Sequence, residues 1–145
     1  MRNYINRLTL VALLSLLLLS CSDNSFPPEQ LPEKVTNFVA MHFPSQNIVT
    51  AQKQWGLLGP EYSVILSDSS RVSFDSNNVW DEVECPSSGV PSSMVPPQVA
   101  DYSLRSNLSF KKILEIEKES YGFKVKLDED VEVKLSEEGY PITKE

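Results

Sequence analysis

The chain is poor in the residues that most reactions need. It has one histidine, two cysteines and no clustered basic stretch. His42 lies in an apolar helical stripe with no Cys or carboxylate at ligand spacing, so it offers neither a metal set nor a partner for a nucleophile. Serines are common, but none sits in a nucleophile elbow, and with a single packed histidine no hydrolytic triad is built. No glycine-rich loop is present to cradle phosphate. Asp75, Asn77 and Asn78 begin like a calcium loop, yet Val79 fills the fifth position and no Gly-then-Glu closure follows. No cofactor is expected. The 13 Lys and Arg stand against 20 Asp and Glu. Phosphate backbones are bound by clustered cations, so this balance argues against a nucleic-acid partner.

The amino terminus carries an address. Arg2 and Arg7 precede an apolar run from Leu8 to Leu19. As a helix the run would span about 18 Å, well short of a hydrocarbon core of about 30 Å. Residues 1–20 therefore read as a secretory signal and not as a membrane span. The run ends in Leu18-Leu19-Ser20-Cys21, which resembles the lipobox of bacterial lipoproteins. That resemblance implies diacylglyceryl transfer to the Cys21 thiol, cleavage before it and acylation of the new amine. Several acyl chains hold a soluble domain stably on a bilayer. The expected place is the cell envelope, on a periplasmic face or the outer-membrane surface. Losing Arg2 and Arg7 leaves 11 Lys and Arg against 20 acidic residues, a charge of about −9. Residues 21–30 read as a flexible lipidated tether. With Cys21 acylated, Cys85 has no partner in the chain and is a free or an intermolecular thiol.

The folded part is organised by a hairpin that occurs twice. Tyr62, Val64, Leu66, Val72, Phe74 and Val79 fall, 61 positions on, at Phe123, Val125, Leu127, Val133, Leu135 and Tyr140. Strict alternation marks strands with one buried face. Pairing Leu127 with Val131 leaves the loop Asp128-Glu129-Asp130 and sets Val125 against Val133 and Lys126 against Glu132. A slip of one residue would mix the faces, so this register is expected. Asn78 and Gly139 fall at matching turn positions that call for positive φ.

Helices precede both hairpins. Leu31 to Phe43 has Pro32 at its start, Val35, Phe38, Val39 and His42 on one stripe, and Pro44 as its stop. Val95-Pro96-Pro97 opens the second, with Val99, Tyr102, Leu104 and Leu108 as its stripe. Strands are expected over Asn47 to Trp55, leading through Gly56 to Pro60, and around Ile113, Leu114 and Ile116. A further short strand is expected after each hairpin, and Asp81 to Met94 reads as a Ser- and Pro-rich linker. The expected fold is α+β: a tandem repeat of α-β-β-β units, residues 31–84 and 95–145, joined by a linker at 85–94, with helices on one side of antiparallel sheet.

Leu31-Pro32, Val35, Phe38, Phe43-Pro44, Tyr62-x-Val64-x-Leu66, Val72-x-Phe74-Asp75 and Trp80 resemble the PepSY-like family of β-lactamase-inhibitor-like proteins. These are envelope proteins, often lipoproteins, of Gram-negative bacteria related to Bacteroides. The resemblance runs from Leu31 to Glu145. Asp68-Ser69 and Asn78 stand where the family usually has Asp-Gly and Gly, and Pro141 stands where the second copy would carry Trp. The resemblance implies a helix laid on an antiparallel sheet in each repeat, and binding through an open sheet face (the BLIP-like mode). On the expected register that face shows Ser63, Ile65, Arg71, Ser73, Lys124, Lys126, Glu132 and Lys134. Its basic residues would either steer an acidic partner or simply keep a solvated strand face soluble, and Trp55 and Trp80 are either partner anchors or core or sheet-edge packing residues. The expected function is non-enzymatic binding of a protein or peptide, or else an assembly role through self-association.

Overall fold

The structure is a computed structural model, and it describes residues 24–109 and 111–142. The signal at 1–20 and Cys21 lie outside the described residues. Eight strands form one antiparallel sheet in sequential order. They are β1 (Ser25–Phe26), β2 (Ile48–Gly56), β3 (Gly59–Leu66), β4 (Arg71–Phe74), β5 (Trp80–Glu84), β6 (Ile113–Glu119), β7 (Gly122–Leu127) and β8 (Val131–Ser136). Helix α1 (Glu33–His42) enters after β1, and α2 (Pro97–Arg105) between β5 and β6. Among the described residues no helix is long and apolar enough to cross a membrane.

The two hairpins carry the expected registers. Tyr62 pairs with Phe74 and Val64 with Val72. Phe123 pairs with Leu135, Val125 with Val133, Lys126 with Glu132 and Leu127 with Val131. Asn78 and Gly139 both take positive φ, at 58° and 83°. The likeness extends beyond the hairpins. Val49 is the extra residue after the Ile48–Leu66 pair, and Leu114 the extra residue after Ile113–Leu127. The amides of Ser67 and Asp128 close the same contact, on the carbonyls of Asn47 and Lys112.

Paired residues in antiparallel strands point to the same face. Ala51, Val64, Val72, Val83, Ile116 and Val125 therefore form one row across the sheet, and all are buried. Val35 and Val39 of α1 pack on the β2–β6 part of this surface, together with Leu66 and Phe74. Val99 of α2 packs on Val125, Leu127 and Leu135. Prolines set where the helices begin. Pro32 precedes α1 and Pro97 is the first residue of α2, where the missing N–H has no helical partner to lose. Both helices lie on the same face of the sheet and leave the other uncovered.

Three expectations need correction. Part of the tether at 21–30 is built into the fold: Ser25 and Phe26 pair with Gln52 and Ala51, and the Phe26 ring lies 6.0 Å from that of Tyr62. The linker from Asp81 begins as strand β5, because Val83 fills the core row between Val72 and Ile116. Residues 85–94 are also tied down, with Cys85 and Met94 buried and the Val90 amide on the Ile113 carbonyl at 2.8 Å. The two halves pair their strands through β5 and β6 and fold together as one sheet, as expected of units of about 50 residues. Leu104 leaves the α2 stripe and is 70% exposed. Helix α2 ends one residue later, and the turn that follows puts Leu108, not Leu104, against the smaller core cluster.

Cys85 has no exposed surface. Burial pushes its thiol pKa up, so the nucleophilic thiolate is scarce as well as shielded. An intermolecular disulfide would require the core to open. A maleimide probe should therefore leave the Cys85 peptide unlabelled in native protein and label it fully in guanidinium, read by mass spectrometry. Rapid native labelling would contradict this packing.

Candidate functional site: the uncovered sheet face

Two rows of polar side chains cross the face that the helices leave bare. One runs Ser63, Ser73, Glu82, Glu117, Lys124, Lys134; the other runs Ile65, Arg71, Glu84, Glu115, Lys126, Glu132. Each residue pairs with the next across a ladder, so each row is one line of adjacent side chains. The expected residues Ile65, Arg71, Ser73, Lys124, Lys126 and Lys134 are thus brought together on one face.

The charge of that face differs from expectation. Strands β5 and β6 contribute Glu82, Glu84, Glu115 and Glu117 at the middle of the sheet. With Glu132 they outnumber the four cations, so the face is not a basic patch. Lys126 Nζ donates to Glu115 Oε2 at 2.6 Å, Lys124 Nζ lies 3.7 Å from Glu115 Oε1, and Lys124 also pairs with Glu117. Glu115 is only 6% exposed, and these two lysines are what offset its charge. The bond to Glu115 holds the Lys126 pKa above the ordinary lysine value. On the β5 side, Glu82, Glu84 and Asp81 make no ion pair among the described residues. Burial, then the charges of Glu115, Glu84 and Asp81, raise the Glu82 pKa. Burial, with Asp75 and Glu61 adding to it, raises that of Asp81.

Two shallow hollows flank this band. The first, of about 320 Å³, is lined by Gln52, Glu61, Ser63, Arg71, Ser73 and Asp81 among others. The second, of about 360 Å³, is lined by Glu84, Pro86, Leu114, Glu115, Lys126 and Glu132 among others.

The tryptophans are elsewhere. Trp80 pairs with the buried Phe74 and so faces the helices. Lys118 covers its ring, with Nζ 3.7 Å from the centroid, and also donates to the Trp80 carbonyl at 2.8 Å. Trp55 shares the face of Ala51 and Lys53, at the far end of β2. Neither tryptophan lines the polar face. His42 packs its ring on Phe38 at 4.4 Å, with Nδ1 2.8 Å from Ser93 Oγ, as expected of a packing residue. The Asp75 carboxylate accepts from the amides of Asn77 and Val79, which makes the turn that resembles a calcium loop a self-capped one. Among the described residues no group of three His, Cys, Asp or Glu could hold a metal ion.

Glu82 supplies a test of this electrostatics. Its folded pKa lies above its unfolded one, so ionisation weakens the fold as pH rises through the carboxylate range. Glu82→Gln should therefore raise the melting temperature by about 2 °C near neutral pH, the yield of about 0.5 kcal/mol. The gain should shrink as pH falls through the carboxylate range, where folded and unfolded carboxyls alike become protonated. Thermal melts across that range check it, and an equal gain at both ends would contradict it.

The profile of the family described as "Putative beta-lactamase-inhibitor-like, PepSY-like" matches residues 17–54 and 60–143. Among solved structures, a "putative periplasmic protein" of Bacteroides vulgatus ATCC 8482 is 28% identical with a TM-score of 0.76, over 86% of this chain and 97% of that one. A "putative calcium-regulated periplasmic protein" of Bacteroides thetaiotaomicron is 27% identical with a TM-score of 0.74, over 83% and 94% of the two chains. A second Bacteroides vulgatus protein, 24% identical over 79% of this chain and 91% of that one, has the same fold at a TM-score of 0.71. A search of curated proteins returns no match. With the family profile spanning most of the sequence, the chain belongs to the beta-lactamase-inhibitor-like, PepSY-like family.

Proposed function

We propose that this is a lipid-anchored, non-enzymatic envelope protein that binds a protein or peptide across the uncovered sheet face. One observation carries the reading: both helices pack on one side, and the other side offers two continuous rows of side chains with a hollow on each flank. An open antiparallel face is a surface for recognition by extended or flat partners, with hydrogen bonding and charge fixing the register. The lysines of β7 are already engaged by Glu115 and Glu117, whereas Asp81, Glu82 and Glu84 are not paired. The partner chemistry that fits is therefore a basic or amide-rich strip laid over β4 and β5, not the acidic partner that the lysines alone suggest. Two structural neighbours are described as periplasmic, which agrees with the envelope location, and the Leu18-to-Cys21 motif supplies the lipid.

The same reading takes residues 31–84 and 95–145 as two copies of one α-β-β-β unit. The matching ladders, bulges and turns support it. Self-association edge to edge fits less well. Strand β1 has only two residues, and beyond β8 the chain folds back so that Leu135 bridges Pro141.

Ser73 lies in the first hollow, where a larger side chain projects outward without entering the core. Processed lipoprotein cross-linked in envelope extract should capture a specific partner, and Ser73→Arg should abolish that capture. Met41→Arg, on the exposed side of α1, should not. Capture unaffected by Ser73→Arg would exclude this face as the binding surface.

A further inference from the structure

The β2–β3 hairpin ends in an unusual turn. Gly56 pairs with Gly59, so Leu57 and Leu58 are its two loop residues. Two-residue hairpin loops in water favour Asn, Asp and Gly. Here Leu57 is 100% exposed and Leu58 84%, and Trp55 beside them is 76% exposed. Nothing in the fold needs apolar side chains there, because the register is fixed by the glycine pair and the ladder behind it. Lys53 lies over the Trp55 ring, 4.9 Å from its centroid. A tryptophan with a lysine behind an apolar tip is the arrangement that seats a protein at a membrane–water interface, with rings at the headgroups and aliphatic groups below.

The chain's own path says which surface lies there. β1 runs antiparallel to β2, with Ser25 opposite Gln52, and the Lys53 amide donates to the Asn24 carbonyl at 3.0 Å. Going back along the chain from Ser25 to Asn24 therefore moves toward the hairpin tip. Cys21 is three residues further, at most about 11 Å of chain. The tip is four residues beyond Lys53, about 13 Å along the strand. Asn24, from which the chain runs back to the acylation motif, thus lies at the tip end of the sheet. We infer that the Trp55-Leu57-Leu58 tip dips into the bilayer that holds the lipid on Cys21, as a second contact that fixes how the domain stands on the membrane. The inference rests on the lipid anchor proposed above. A bare anchor would let the domain tumble, whereas two contacts hold one orientation and keep the polar face turned in a constant direction. The high acidity of the chain favours zwitterionic over anionic headgroups.

The test uses the processed protein reconstituted into phosphatidylcholine vesicles with and without brominated acyl chains. Mass spectrometry of the N-terminal peptide reads acylation at Cys21 separately. Tryptophan emission should be blue-shifted and partly lost on bromination. The lost component should be missing in Trp55→Phe, and should shrink in Leu57→Ser/Leu58→Ser, whose residues are exposed and free of packing. Acylated protein with emission untouched by bromination overturns the inference while the anchor stands. Quenching of unacylated protein supports the tip contact and removes the anchor. Absence of both acylation and quenching overturns both. A blue shift that appears only with added envelope protein would assign the tip to a protein partner and overturn the inference.

Discussion

The Val83–Ile116 pair is the contact on which the architecture turns. Both side chains are fully buried, and they join β5 to β6 and so the two halves to each other. Burying two such aliphatic groups contributes about 3–6 kcal/mol, a large share of the stability of a domain this size. The same ladder sets Glu82 against Glu117 and Glu84 against Glu115 on the opposite face. Like charges directly opposite weaken a sheet. The apolar side of the seam and the two lysines of β7 have to outweigh them.

That asymmetry shapes the surface. Because α1 and α2 pack on the apolar rows, every polar row is left to solvent or to a partner. The lysines that balance Glu115 and Glu117 are drawn to the β6–β7 side, which leaves unpaired carboxylates over β5. A sheet that has to be joined at its middle thereby acquires a charged band at its centre and a hollow on either flank. The charge pattern of the uncovered face is a by-product of how the two halves are joined.

Much of this was legible in the chain. Phe123 to Leu135 alternates so strictly that only one register keeps Lys124, Lys126 and Glu132 on one side. Prolines marked both helix starts. A short strand after the hairpin was legible, but its run past Asp81 was not, because Trp80-Asp-Glu-Val-Glu84 has one fully buried residue, Val83, among acidic neighbours, and pairing on both edges is what makes it a strand. β1 was hidden because two residues carry no periodicity. Placing β5 and β6 at the centre is a long-range fact, and without it the glutamates could not be set opposite the lysines. The polar face therefore looked basic. Of the two readings open for Trp80, the bulge at Asp81 decides for packing, because it shifts the ring onto the helix side.

The two halves form one cooperative sheet held at Val83 and Ile116. Denaturant-dependent hydrogen exchange on Ile116→Ala tests it most directly. Amides of β3–β4 and of β7–β8 should lose protection together, by about 3 kcal/mol. Loss confined to the strands next to Ile116, with the distant hairpin keeping its native protection, would contradict it.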